Sequence, residues 1–296
     1  MIQDKYVNPF TNFGFKKLFG EESHKELLIS FLNTLLPEKH WIQSLQYAHN
    51  GQQGANHKDI FELRCTSPNG ERFIVELQKA KHNYFKHRST YYATFPSHDQ
   101  AKRGGWDGRL SAVYAIGILD FTFAEDCAER DDRVIHQSQL KDQFGNVLYD
   151  KVTFIYLALP NFNKTLEQLA TTQDKWFYIF RHLHEMNDIP AVLQEKIFLK
   201  LFNAAQITHF DPAEREAYEY GLKYYRDLKN VADTAWGKGY EEGVEEGIKQ
   251  SIKKNIEKGK QEELLLMAKK LLNFLSDADI AGATGLTVDE VAKLRG

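Results

Sequence analysis

The spacing of apolar residues changes along the chain, and each spacing predicts a type of secondary structure. Near the N-terminus, apolar residues recur at steps of three and four, which predicts a helix over residues 13–36. Gly20 is expected to interrupt this helix and Pro37 to end it. From Asp174 onward the helical spacing returns and continues through most of the C-terminal half. Its apolar positions predict a buried stripe formed by Trp176, Phe177, Ile179 and Phe180.

Strand patterns occupy the region between these helical parts. Segments 58–66 and 71–79 alternate between apolar and polar residues, and Asn69-Gly70 between them is typical of a hairpin turn. Segment 112–121 is apolar almost throughout, as expected of a strand buried on both faces. Further strands are predicted at 134–140 and 153–159, with a second hairpin at Phe144-Gly145-Asn146, and a polar, aromatic helix at 83–102. This order predicts an α/β core with a mixed sheet flanked by helices.

The pattern changes again near residue 231, where a repeat of four begins. Large apolar residues recur at every fourth position from Trp236 to Ile256, and small residues recur on the same step from Gly239 to Gly259. Such a repeat winds around a helix in a right-handed sense, and each interior glycine costs roughly 1 kcal/mol relative to alanine. Two interpretations stay open: a solvated, charged linker, or a helix that packs closely, including as a homo-oligomer.

The last part of the chain predicts short helices. Leucine residues at helical spacing precede Gly285, and Thr287 with Glu290 forms a capping box that opens a final helix. The arrangement resembles a helix-turn-helix, but its last helix carries few cations, which favours a small interaction module. We therefore expect three parts: a core domain at 1–230, a glycine-repeat helical linker at 231–260 and a small helical tail at 261–296.

Composition restricts the classes of protein that fit the chain. A net charge of −3 means that any contact with nucleic acid must come from a local basic surface. Cys65 and Cys127 lack CxxC spacing, which argues against a disulfide framework and favours a reducing, cytoplasmic location. The sequence shows no signal-peptide pattern and no apolar run long enough to predict a membrane span.

The predicted hairpin brings two acidic residues onto neighbouring strands. Asp59 lies near the start of the first strand, and Glu76 and Gln78 share one face of the second. Two nearby carboxylates repel each other unless a cation lies between them, and Mg²⁺ or Mn²⁺ prefers such oxygen ligands. Gln78 could orient an attacking water but cannot act as a base. Taken alone, these residues are a weak signal of a metal site, because the surfaces of hairpins routinely carry Asp and Glu.

Cations follow the second strand directly. Lys79, Lys81, Lys86 and Arg88 are interleaved with aromatic residues, a combination that suits a polyanionic backbone. Among them, Arg88 is the residue that we expect to contact a phosphate or the transition state. The alternative is a solvated helix face whose aromatic residues belong to the core.

Four segments together resemble the PD-(D/E)XK nuclease family transposases, also called recombination-promoting nucleases. They are YVNPFTNFGFKKLFG, DIFELRCTSPNGERFIVELQKAKHNYFKHRSTYYATFP, AVYAIGILDF and KVTFIYLALPNFNK, and they occur in the family's order within residues 5–230. The resemblance implies a restriction-endonuclease-like fold and an Mg²⁺- or Mn²⁺-dependent endonuclease that cuts DNA. It also implies that Asp59 and Glu76 are the metal ligands and that Gln78 stands where the wider superfamily has lysine.

Asn12 departs from the pattern of this branch, whose members often have an aspartate in the first motif. Gln78 is usual for the branch but departs from the wider superfamily, and it removes the lysine that is the familiar candidate for polarising the water. Glu22 or Glu26, on the same predicted helical segment as Asn12, are candidates to supply the lost carboxylate. The alternative function is a catalytically degenerate nuclease fold that acts as a DNA-binding or protein-interaction module.

Overall fold

The structure, a computed structural model, describes residues 4–47, 60–79, 87, 89–91, 93, 110–122 and 132–295, with only the backbone described at 60–62. The chain divides into two compact units, Met1–Asn230 and Val231–Gly296. Within the described ranges, no helix combines the length and the apolar character needed to cross a bilayer.

The first unit is built on a mixed sheet. Its described strands are β1 (Gln46–Tyr47), β2 (Ile60–Thr66), β3 (Arg72–Gln78), β4 (Val113–Leu119), β5 (Ile135–Lys141) and β6 (Val147–Ala158). They lie in the order β1-β2-β3-β4-β6-β5. The central strands β3, β4 and β6 are parallel, and the outer pairs are antiparallel. The predicted mixed α/β fold is confirmed, although β6 begins six residues earlier than the expected 153–159.

Seven helices have both ends within the described residues. They are α1 (Asn12–Phe19), α2 (Lys25–Asn33), α3 (Thr172–His182), α4 (Lys196–Ala205), α5 (Pro212–Leu271), α6 (Asp277–Thr284) and α7 (Val288–Arg295). Short 3₁₀ turns lie at Glu22–His24, Glu38–His40, Leu159–Asn161, Leu166–Gln168, Leu183–Glu185, Ala191–Leu193 and Ile207–His209. The break expected at Gly20 is confirmed, since this residue ends α1. Of the helix predicted at 83–102, the described residues 87, 89–91 and 93 are helical, and the others lie outside the described part.

Both predicted hairpins are present. Gly70 has a φ of +83°, and its N–H donates to the Ser67 carbonyl at 2.9 Å, which closes the turn between β2 and β3. Glu71 fixes this turn further, because its carboxylate lies 2.6 Å from His40 Nδ1 and accepts a hydrogen bond from the Ser67 hydroxyl. Gly145, with a φ of +85°, plays the corresponding role between β5 and β6.

One face of the sheet carries the main core. α1, α2, α3 and α4 contribute their apolar sides to this cluster, together with strand residues such as Phe73, Val75 and Leu77. Phe19 and Phe31 in this core contact each other, and each contacts Trp176 and Phe180, with ring centroids 5.0–6.0 Å apart in these pairs. Buried aromatic pairs of this kind contribute about 0.5–1.5 kcal/mol each beyond their area.

The N-terminal segment is held by residues about 200 positions later in the chain. The Val7 N–H donates to the Ala205 carbonyl at 3.0 Å, and the Asn8 N–H donates to the Tyr218 hydroxyl at 2.8 Å. Asn8 and Tyr218 are both buried, so these bonds are shielded from water. The segment before α1 is therefore part of the first unit and not a loose end.

The turn that opens α1 explains most of the motif NPFTNFGF. The Asn8 carbonyl accepts hydrogen bonds from the Thr11 N–H at 3.1 Å and the Thr11 hydroxyl at 2.8 Å. The same hydroxyl caps the helix by accepting from the Gly14 N–H at 2.9 Å. A Cβ on Gly14 would lie 2.3 Å from the Asn8 carbonyl oxygen, so a glycine is required there by close approach of the backbone.

Replacing Gly14 with alanine should therefore destabilise the first unit. Helix propensity favours alanine, but the clash with a backbone oxygen outweighs it, and we expect the free energy of unfolding to fall by about 1–3 kcal/mol. Urea unfolding measures this change. Gly221→Ala is the matched control, because a Cβ there meets atoms only at 3.9 Å or beyond, and it should be neutral or stabilising.

The second unit contains the later part of α5 and the tail. Residues 231–260 of α5 are exposed, apart from the half-buried Gly237. The end of α5 packs with α6 and α7 around the buried residues Ala268, Ile280 and Val291. The capping box predicted at Thr287 is confirmed, because its N–H and hydroxyl both donate to the Glu290 carboxylate at 2.8 Å.

Candidate active site

The strand β3 separates two kinds of side chain by alternation. Phe73, Val75 and Leu77 enter the main core, whereas Glu76 and Gln78 lie on the opposite face. Both polar residues are buried, with Glu76 6% exposed and Gln78 not exposed at all. A buried carboxylate is costly unless polar or charged groups surround it, so this face of β3 is chemically distinct from the rest of the sheet.

The pairing register places a row of residues across the sheet at the level of Glu76. Glu62 of β2 pairs with Glu76, Gly117 of β4 lies on its other side, and Tyr156 of β6 follows Gly117. Glu62 was missed at the sequence level. The Ser67 N–H donates to the Glu71 carbonyl at 2.9 Å, and the register set by this three-residue turn puts Glu62 directly opposite Glu76.

Glu76 borders a small cavity. Its lining is formed by Ile74, Glu76, Ser89, Ala115, Ile116, Gly117 and Tyr156. The Ser89 hydroxyl donates to Glu76 Oε2 at 3.5 Å. Burial raises the pKa of the Tyr156 hydroxyl; its hydrogen bond with Ser89 opposes this rise, and the negative charge of Glu76 adds to it. Ser89 therefore interacts with both Glu76 and Tyr156, and the three side chains form one polar group.

Gly117 makes room for this arrangement. A Cβ at this position would lie 2.8 Å from Tyr156 Cδ1, well inside ordinary contact distance. The Tyr156 ring therefore occupies the space that the side chain of any amino acid other than glycine would need at position 117. Gly117 was expected only as part of a buried strand, because its role depends on its neighbour in β6.

A second polar group lies at the carboxyl end of β3 and β4. The Asp120 N–H donates to the Gln78 carbonyl at 3.0 Å. The Asp120 carboxylate accepts from the Tyr225 hydroxyl at 2.6 Å and from Lys229 at 3.0 Å. These contacts tie the first part of α5 to the strand end that carries Gln78. Carboxyl ends of parallel strands are a common location for binding sites in α/β folds.

Lys79 follows Gln78 in the sequence and packs against Tyr224 of α5. It is 6% exposed, and its ammonium lies 5.4 Å from the centroid of the Tyr224 ring in α5. This contact is a cation–π interaction, which stabilises the packing of α5 against the strand end. Lys79 is thus not available as a surface cation in this structure.

The structure does not bring Glu22 or Glu26 to Glu76. Glu22 forms an ion pair with Lys25, and Glu26 with Lys200 at 2.5 Å. The Lys200 contact is the main reason that the pKa of Glu26 is lowered. Glu26 belongs to α2, which packs on the sheet face opposite Glu76.

Of the other predicted site residues, Asn12 is among the described residues. Asn12 is the first residue of α1, in the same layer as α2, with its Oδ1 atom buried. Asp59, Lys81, Lys86 and Arg88 lie outside the described residues. Within the described part of the chain, no group of three or more His, Cys, Asp or Glu residues is placed to hold a metal ion.

Comparison with known families decides the relationship. A family model described as PD-(D/E)XK nuclease family transposase matches residues 9–235, more than half of the chain. The chain belongs to this family. No curated protein and no solved structure matched it. PD-(D/E)XK nucleases act on DNA and generally use divalent metal ions, so the family places the chain among nucleases of the transposase type.

The matched region includes the polar face of β3. Glu76 and Gln78 lie two residues apart on this strand. Besides Glu62, sequence reasoning missed Ser89, Gly117 and Tyr156, which line the cavity beside Glu76. The strand order β3-β4-β6 brings Gly117 and Tyr156 to this site, and the hydrogen bond to Glu76 identifies Ser89.

Gly117→Ala should destabilise the protein by about 1–3 kcal/mol, because the added methyl group must displace the Tyr156 ring. Urea unfolding of a double-mutant cycle checks the cause. In a Tyr156→Leu background the same glycine change should cost much less, since the rigid ring is gone. Equal costs in both backgrounds would show that Tyr156 is not what requires glycine.

Proposed function

We propose that this protein is a metal-dependent DNA endonuclease whose active site lies on the Glu76 face of β3. The supporting observation is the burial of Glu76 and Gln78, side by side on a face that the main core does not use. Burying a carboxylate and an amide next to a cavity has no packing advantage over apolar residues. A catalytic site explains their presence.

The donor atoms on this face fit a hard divalent ion. Glu76 offers a carboxylate and Gln78 an amide oxygen, and Mg²⁺ or Mn²⁺ prefers oxygen donors of this type. In the proposal, Asp59, one residue before β2, and Glu76 would hold the ion. When bound, it would neutralise charge on the phosphate and lower the pKa of a water molecule. Glu62 of β2, in register with Glu76, would be a further acidic residue of this site.

The protein residues would position the reactants. Gln78 would orient the attacking water through its amide, which donates and accepts hydrogen bonds but does not remove a proton at neutral pH. Arg88 would contact the phosphate, and Lys81 and Lys86 would bind the DNA backbone. We leave Lys79 out of the DNA contacts because its ammonium is buried against Tyr224. Glu22 and Glu26 are left out because lysines pair with both.

Cleavage of supercoiled plasmid DNA in Mg²⁺ tests the proposal. Asp59→Ala and Glu76→Ala should each lower the rate by at least about 100-fold, since the metal site loses a charged ligand. Gln78→Ala should lower the rate less. Glu26→Gln is the control, because it removes a carboxylate from the opposite layer, and it should retain activity. Cleavage that survives both alanine substitutions would rule out the assigned site.

Calorimetric titration with Mn²⁺ separates an active site from a degenerate one. The wild-type chain should bind the ion, and Glu76→Gln should weaken binding at least tenfold because a carboxylate becomes a neutral amide. DNA binding without cleavage in any divalent metal would favour the alternative, a DNA-binding or interaction module. Asn12 and Gln78 in place of charged residues are the features that keep this alternative relevant.

A further inference from the structure

The helical residues that follow β3 present a serine to the Glu76 face of the sheet. Of the described helical residues 87, 89–91 and 93, Ser89 and Ala93 are buried and the other three are exposed. Ser89 and Ala93 are four positions apart, so they share the side of the helix that faces the protein. The alanine one turn later shows that packing on this side requires only a small residue, so the hydroxyl of Ser89 needs another explanation.

The Ser89 hydroxyl has two polar partners in this buried position. It donates a hydrogen bond to Glu76 Oε2 at 3.5 Å, and it is also hydrogen-bonded to the Tyr156 hydroxyl. A serine hydroxyl donates one hydrogen bond and accepts up to two. When its single proton is directed to Glu76, Ser89 accepts from Tyr156, and the order of donation is Tyr156, Ser89, Glu76.

The bond from Ser89 makes the two carboxylate oxygens of Glu76 unequal. A hydrogen bond to a carboxylate is charge-assisted, so it holds the orientation of the group and draws negative charge toward the oxygen that accepts it. An ion that binds one oxygen of the carboxylate is then served best by Oε1. An ion that binds both oxygens competes with the Ser89 proton for Oε2.

Divalent ions differ in how they use a carboxylate. Mg²⁺ demands a near-octahedral arrangement of oxygen ligands at short distances, and Mn²⁺ also suits an octahedral set of oxygens. Ca²⁺ takes more oxygen ligands in a flexible geometry, and it often binds both oxygens of one carboxylate. Discrimination between these ions therefore depends on the number of oxygens that a site offers and on how rigidly it holds them.

We propose that Ser89 is a positioning residue that makes the site at Glu76 select Mg²⁺ and Mn²⁺ over Ca²⁺, because it holds Glu76 Oε2 and directs the ion to Oε1. Tyr156 supports this role by donating to the Ser89 oxygen. The inference rests on the proposed metal-dependent function and adds the class of ion that the site accepts. It also explains why a position that could hold alanine carries a hydroxyl.

Calorimetric titrations of the full-length protein with Mn²⁺ and with Ca²⁺ test this role. The measured quantity is the Ca²⁺ dissociation constant divided by the Mn²⁺ dissociation constant, since a general weakening of Glu76 as a ligand affects both ions and cancels. This ratio should be at least about 10 in the wild-type chain. Ser89→Ala should lower the ratio at least about fivefold, because the released carboxylate can bind Ca²⁺ with both oxygens. Tyr156→Phe keeps the ring and loses only the hydroxyl, so it should lower the ratio by a smaller factor.

Two further variants separate this role from a loss of packing. Ser89→Thr retains the hydroxyl and should keep the ratio close to that of the wild-type chain. Ser67→Ala is the matched control, because Ser67 is also buried and its hydroxyl donates to the Glu71 carboxylate at 3.2 Å. This control removes a buried bond from serine to glutamate in the turn between β2 and β3, and it should keep the wild-type ratio. Urea unfolding checks that each variant is folded.

The outcomes distinguish this inference from the proposed function. If the wild-type chain binds Mn²⁺ and Glu76→Gln weakens that binding, the metal site stands. An unchanged ratio in Ser89→Ala, or an equal fall in Ser89→Ala and Ser67→Ala, then overturns the role of Ser89 alone. If Ser89→Ala does not fold, Tyr156→Phe decides, and an unchanged ratio there overturns the role. If the wild-type chain binds neither ion, the proposed site and this inference fail together.

Discussion

The first unit depends on the strict alternation of β3. Every odd-numbered residue from Phe73 to Leu77 enters the main core, and this anchors the strand so firmly that its other face is fixed in position. The apolar packing that positions Glu76 and Gln78 involves only the side chains on the other face of the strand. The site can therefore carry groups that are unfavourable to bury, because the core on the far side of the sheet stabilises the strand for them.

The elements around Glu76 follow from this placement. The neighbouring strand contributes Gly117, which has no side chain, and the next strand fills that space with the ring of Tyr156. At the carboxyl end of the strand, Asp120 connects the backbone of Gln78 with Tyr225 and Lys229. Groups from β4 and β6 thus border the polar face, and α5 is bound to the strand end beside Gln78.

The elements of the fold could largely be predicted from the sequence, because local signals specify them. Gly20, Gly70 and Gly145 end or turn the chain where expected, and the apolar run of β4 is buried throughout. The surroundings of the site could be predicted much less. Tyr156 reaches Glu76 only through strand order, which no local pattern encodes, and Ser89 reaches it from the helical residues that follow β3. The sequence suggested that Lys79 is a surface cation, but in the structure Lys79 is buried and its ammonium lies against the Tyr224 ring.

The bonds that join Val7 to Ala205 and Asn8 to Tyr218 also constrain how the chain acquires its structure during synthesis. A ribosome adds about 5–20 residues per second, so the N-terminal segment leaves it roughly 10–40 seconds before its partners exist. Until then, the Asn8 N–H in the turn that opens α1 lacks the Tyr218 hydroxyl that accepts its hydrogen bond. The far end of the unit therefore imposes the order of events, because this motif reaches its final environment only after residues about 200 positions later have been translated.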